Sequence, residues 1–276
     1  MIATHTFVEI PRCPFSPHRS SGTLHGMPVR PMPTPPPPAM TIGKYQLYRK
    51  IGEGAMGSIW LARDFITGRN NVLKLALPGL ELFLEEEGKI LSQLAHKNIV
   101  TFVENMKTNG ISYLAMEYIP GKTVAALIKD RELDFPKLLE IIMQVCYGLN
   151  HLQEKGYVHC DLKPNNIMVQ PDGTVKIIDF GLSMPAHENA VAGVGTMRYR
   201  APEQENGDII DVRTDIYALG VTFNDALTFL YYQDRISKVA CEALSPIIQK
   251  MTASRPEDRY QHPLDVVADI KKLQID

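Results

Sequence analysis

The sequence predicts an α+β protein of two lobes, β-rich first and helical second. Three observations carry the prediction. Residues 42–118 are dominated by short alternating apolar runs broken by glycine turns. After Pro120-Gly121 the apolar spacing becomes that of helices. The only β-like runs in the second half are "NIMVQ" and "TVKIIDF", so strands and helices segregate instead of alternating. The join falls near residues 117–121, and a cleft between lobes is a favoured ligand site.

The elements follow in order. "YQLYRKIGEG" and "SIWLAR" read as two strands about a glycine-rich turn, and "NNVLKLAL" as a third. "LFLEEEGKILSQLA" (82–95) places Leu84, Ile90, Leu91 and Leu94 at helical spacing. "IVTFVENM" and "ISYLAMEYI" are two more strands, with Asn109-Gly110 before the second. Helices are expected at 123–130, 136–154, 214–230, 240–252 and 263–273. The turn "PDG" joins the two late β segments. The expected organisation is a disordered Pro-rich tail (1–41), a first lobe (42–118) and a second lobe (119–276).

Composition narrows the function classes. A net charge of −2 gives no support for a nucleic-acid binder. Cys13, Cys146, Cys160 and Cys241 form no CxxC pair, which argues against a zinc site or disulfide framework and suits a reducing, cytoplasmic setting. No run of eighteen apolar residues exists, so no membrane span is expected. Half of the 20 prolines lie in the first 41 residues, where Glu9 is the only acid. That stretch has too little apolar surface to offset its ordering entropy. Pro35–Pro38 favours polyproline II; the stretch reads first as a plain tail, with a site for an SH3- or WW-like module as the alternative.

"GEGAMG" supplies Gly52, Gly54 and Gly57, where backbone N–H groups can approach phosphate oxygens without a Cβ in the way. The glycines lead into a strand, not a helix, so the loop is a flap between strands and not a dinucleotide fingerprint. Lys74 lies in an apolar strand and needs an anion if it points inward. Glu85, Glu86 and Glu87 follow, and periodicity does not choose among them. In "HCDLKPNN" (159–166), Asp161 can accept the proton of an attacking hydroxyl. Lys163 can neutralise a γ-phosphate, and Asn166 can hold Mg²⁺. Thirteen residues after Asn166 comes Asp179 of "DFG", an acid at a strand end suited to a metal.

This ordered set resembles the eukaryotic-like protein kinase family, in the style of its bacterial Ser/Thr members, from about Tyr45 to Leu273. "GTMRYRAPE" (195–203) extends the resemblance. It implies a two-lobed protein kinase fold and a Ser/Thr protein kinase using ATP with Mg²⁺, or Mn²⁺ as a substitute, on a protein substrate. It selects Glu87 as the partner of Lys74. It makes Met116 the gatekeeper, sets the Glu117 carbonyl and Ile119 N–H against adenine, and sandwiches the base with Ile59, Val72 and Met168 behind Ile51. It stacks Phe102, Leu91, Phe180 and His159 as a spine. It pairs Glu203 with Arg259 and has Asp215 hold the catalytic-loop backbone. Lys163 together with Thr196 points to Ser/Thr acceptors. A pseudokinase scaffold and a small-molecule kinase are the rival readings. The first is disfavoured because no key residue is lost, the second because of the "GTMRYRAPE" ledge.

Two departures stand out. Cys160 replaces an arginine that in many kinases grips an activation-segment phosphate, and "SMPAHENAVAGVG" (183–195) holds one hydroxyl, Ser183. Receiver and phosphosite are both missing, which favours an enzyme active without that phosphorylation. Cys160 reads either as a small space-filler or as a redox handle, and Glu188 as a fixed anion with no evident partner. Only "YYQDRISKV" separates the helix at 214–230 from the next, so the family's docking helix is shortened or absent.

Overall fold

The computed structural model describes residues 40–54 and 56–273. The expectations for the tail and for Pro35–Pro38 lie outside these residues, except at the tail's last two positions. Met40 and Thr41, assigned by sequence to the tail, belong to the fold. Met40 O accepts from Leu47 N at 2.8 Å, and strand β1 (Thr41–Ile42) pairs with β2 (Tyr45–Gly54). A two-residue strand has no periodicity to detect, so only its partner reveals it.

β3 (Gly57–Asp64) and β4 (Asn70–Ala76) follow, then helix α1 (Glu81–Ser92), β5 (Phe102–Thr108) and β6 (Ile111–Glu117). The six strands form one antiparallel sheet in the order β1-β2-β3-β4-β6-β5. Asn109 (φ 50°) and Gly110 (φ 80°) make the β5–β6 hairpin, both in the left-handed region that such two-residue turns require. The pairings Ile59↔Lys74, Leu61↔Val72, Val72↔Met116 and Lys74↔Leu114 place these side chains on one sheet face. The other face packs Tyr45, Leu47, Ala62, Leu73, Leu75, Tyr113 and Ala115 into a small core of its own.

The expected strand at 99–106 begins only at Phe102. Ile99 instead bridges Ile177, and Val100 N donates to Ile177 O at 3.0 Å. Asn98 is fully buried and donates to Gln144 Oε1 and Val175 O. This loop therefore fastens the sheet to the helical half. The rest of the chain runs β7 (Lys122–Thr123), α2 (Val124–Lys129), α3 (Phe135–Lys155), β8 (Tyr157–Val158), β9 (Ile167–Val169), β10 (Val175–Ile177), β11 (Met184–Pro185), α4 (Pro202–Asn206), α5 (Val212–Tyr232), α6 (Lys238–Met251) and α7 (Pro263–Lys272).

Helix ends follow their local chemistry. Thr123, Asp134, Asp211 and Ser237 cap α2, α3, α5 and α6 by accepting backbone N–H groups, and Gly156 closes α3 at φ 74°. α3 and α5 bury their apolar faces in one core that also receives Leu84 and Leu91 from α1. That shared core positions the lobes about the site. Only residues 233–237 separate α5 from α6, so the stretch offers no room for an intervening docking helix. No helix among the described residues is long and apolar enough to cross a membrane.

Candidate active site

The sheet face bearing Ile59, Val72 and Met116 also carries Lys74, which is 8% exposed. Its Nζ lies 2.7 Å from Glu87 Oε2 and 2.8 Å from Asp179 Oδ1. Helical geometry makes the choice among the three glutamates: Glu85 and Glu86 face solvent, while Glu87 shares the inward face with Leu84, Ile90 and Leu91. Burial pushes the Lys74 pKa down, but the two carboxylates outweigh it and the net shift is upward. Burial also pushes Asp179 up, and the Lys74 ammonium overrides it and holds the carboxyl below its usual value. Glu87 is nearly sealed from water, and burial keeps its pKa raised despite Lys74.

Asp161 lies at the centre of the second group. Its Oδ2 accepts from Lys163 Nζ at 2.6 Å and Asn166 Nδ2 at 3.2 Å, and its Oδ1 from Thr196 Oγ1 at 2.7 Å and Thr196 N at 3.0 Å. Lys163 Nζ also reaches Thr196 Oγ1 at 2.7 Å. The loop bearing these groups is held from below. Asp215 is fully buried on α5 and accepts His159 N at 2.7 Å and Cys160 N at 3.0 Å. The His159 ring meets Phe180 edge-on at 4.9 Å, and Phe180 and Leu91 lie in the central core with Phe102 against it.

Of the residues expected at the nucleotide, Ile59, Val72 and Met116 share one sheet face with Lys74. Ile59, Val72 and Met168 are half-buried, Met116 is buried and Ile51 is exposed. Ile119 N donates to no other group among the described residues. The Glu117 side chain bonds Lys176 and Thr101 and is therefore fixed by the structure. In the glycine loop, a Cβ at Gly57 would sit 1.9 Å from Leu75 O, one at Gly52 would meet only Ile59 at 3.4 Å, and one at Gly54 would meet nothing within 4 Å. Gly57 is thus demanded by strand packing, whereas Gly54 borders open space.

Two hard oxygen donors can serve a metal. Asp179 Oδ2 and Asn166 Oδ1 bond to no described group, while Asp179 Oδ1 and Asn166 Nδ2 are engaged. No cluster of three or more His, Cys, Asp or Glu suited to a metal occurs among the described residues. A two-oxygen set suits a cation that keeps waters and phosphate ligands.

The protein kinase domain family matches residues 45–273. The chain belongs to the protein kinase domain family. It is 31% identical over 262 residues to the serine/threonine-protein kinase PrkC of Bacillus subtilis, a match covering 83% of this chain and 40% of the relative. It is 28% identical over 273 residues to the serine/threonine-protein kinase PknB of Mycobacterium tuberculosis, covering 86% and 44%. The chain thus spans less than half the length of these relatives. The crystal structure of the Mycobacterium tuberculosis PknI kinase domain has the same fold, with TM-score 0.68, 22% identity, and 85% and 98% of the two chains covered.

In this kinase domain Glu203 and Arg259 form a buried bidentate pair at 2.6 and 2.8 Å. Thr214 Oγ1 adds a bond to the same glutamate at 2.8 Å. Glu188 is exposed and forms no ion pair among the described residues. Cys160 is 8% exposed and packs with Val158, Ala190 and Ile210, bordered by Leu182, Met184 and Ala186. Burial pushes its thiol pKa well up, with Asp215 and Asp161 adding to the shift, and this close apolar packing favours the space-filling reading over the redox one. Sequence reasoning missed Gln204, whose Nε2 lies 2.6 Å from Cys160 O. A glutamine one residue past Glu203 carries no periodic or motif signal of its own.

Proposed function

We propose that the chain is a serine/threonine protein kinase that transfers the ATP γ-phosphate to Ser or Thr hydroxyls of a protein. The carrying observation is the Asp161 carboxylate, bonded at once by Lys163, Thr196 and Asn166 at the end of the cleft that holds Lys74. Asp161 takes the proton of the acceptor hydroxyl, and Lys163 and Thr196 fix its orientation. Lys74, held by Glu87, faces the phosphates. Ile59, Val72 and Met168 flank the base, with the Glu117 carbonyl and Ile119 N–H along its edge. Asn166 and Asp179 would hold Mg²⁺. When bound, Mg²⁺ supplies charge neutralisation at the phosphates.

Activity is independent of activation-segment phosphorylation. Several backbone bonds that need no phosphate support this. Met184 and Pro185 pair with Val158 and Tyr157, His187 N donates to Ile210 O at 2.8 Å, and Ala190 N to Asp208 O at 3.0 Å. The apolar packing around Cys160 adds to them.

The test is phosphatase-treated full chain with Mg²⁺, labelled ATP and casein as acceptor. The parent labels casein, and Asp161→Asn loses at least ~100-fold in rate. Equal background in both overturns the kinase reading. A parent that is silent until rephosphorylated overturns only the independence from phosphorylation.

A further inference from the structure

We propose that Gln204 is a positioning residue, whose uncharged side-chain amide locks the catalytic loop to the substrate ledge. The proposal rests on the kinase reading above and adds to it the device that couples the two segments.

Cys160 has φ 67°, a left-handed conformation that is strained for a residue with a Cβ. Such a conformation persists only where its surroundings over-determine it. Here both sides of the residue are held: its N–H by Asp215 at 3.0 Å and its carbonyl by Gln204 Nε2 at 2.6 Å. That carbonyl belongs to the peptide leading into Asp161. The same Nε2 reaches Val194 O at 3.3 Å, so one amide group spans the catalytic loop and the activation segment. Gln204 is 4% exposed, and α4 supplies its rigid base.

Gly195 makes this reach feasible. Its φ is 100°, and a Cβ there would lie 3.0 Å from Gln204 Nε2 and 3.1 Å from Cys160 O. Arg200 Nη2 takes the Gly195 carbonyl at 2.7 Å. The two carbonyls preceding Thr196 are therefore both gripped, and Thr196 delivers its N–H and hydroxyl to Asp161 Oδ1. Freeing Gln204 releases the Asp161 peptide and the Thr196 turn together. An amide needs no phosphate and adds no charge beside the apolar cluster around Cys160.

Gln204→Met keeps the length and removes the donors. Its kcat on casein is expected to fall about tenfold or more, because small misplacements of a reacting group are costly. Its KM for ATP stays within about twofold, and its Tm within about 3 °C of the parent, the scale of one lost buried hydrogen bond. Gln204→Glu supplies the rescue: its activity relative to the parent rises as pH falls and the carboxyl regains a donating proton. Hydrogen exchange is read in parallel, and in Gln204→Met it accelerates at residues 158–163 and 193–200 together. Unchanged kcat, a parallel loss of ATP binding and Tm, or exchange rising in neither segment overturns the proposal. Coupled exchange in a protein that labels nothing leaves the coupling standing and overturns the kinase reading instead.

Discussion

Cys160 shows how much one position depends on its surroundings. The residue lies in an apolar cluster under the activation segment, with its backbone held by Asp215 and Gln204. Cys160→Arg places a long charged side chain in that apolar cluster. We expect a loss of at least about 3 kcal/mol, the cost of an unpaired buried charge, seen as a fall in denaturation midpoint. Cys160→Ala, which removes only the sulfur, is expected to cost about 1 kcal/mol and to keep phosphoryl transfer. Equal effects of the two changes would refute the space-filling role. The missing positive charge and the scarcity of hydroxyls after Ser183 were legible in the sequence. The apolar cluster was not, because Ala190 and Ile210 are brought to Val158 and Cys160 from two distant stretches of chain.

At the scale of elements, the glycine flap and the Asn98 loop divide the same way. Gly54 and Gly57 looked equivalent in sequence, yet a Cβ at Gly57 would lie 1.9 Å from Leu75 O of β4, whereas one at Gly54 would meet nothing within 4 Å. Gly57→Ala is expected to destabilise by about 2 kcal/mol or more through overpacking. Gly54→Ala is expected to stay within about 0.5 kcal/mol while raising the KM for ATP. Thermal melts and ATP titration separate the two. The second case is His96, whose ring stacks on His151 at 5.3 Å and whose Nδ1 accepts from Asn98 N at 3.2 Å. Burial, then His151 and Lys97, holds its pKa below the ordinary 6.5, with Lys176 adding and Glu154 opposing. The unfolded chain therefore binds the proton more readily, and stability falls as pH drops from 6.5 toward the lower folded value. In His96→Gln this part of the Tm loss between neutral and mildly acidic pH disappears. Parallel Tm curves for parent and variant would exclude the effect.

Across the whole molecule, the buried pair Glu203–Arg259 joins the end of the ledge to the loop before α7, and Arg259 uses all five of its N–H donors. Glu203→Gln leaves that guanidinium uncompensated and is expected to cost about 3 kcal/mol, read as a lower denaturant midpoint. A shift under a third of that would show the pair to be dispensable. The sequence by itself determined the β-rich and helical halves, since period-2 and helical patterning are local properties of the chain. It also determined the ordered set Lys74, Asp161, Asn166 and Asp179, because those side-chain chemistries recur at telling spacings. Which of three glutamates meets Lys74, that Ile99 leaves its strand to pair with Ile177, and that Gln204 bridges Cys160 and Val194 were decided only by the tertiary structure. Each of these is a contact between distant residues, and its strength comes from burial and from partners that no local window of sequence contains.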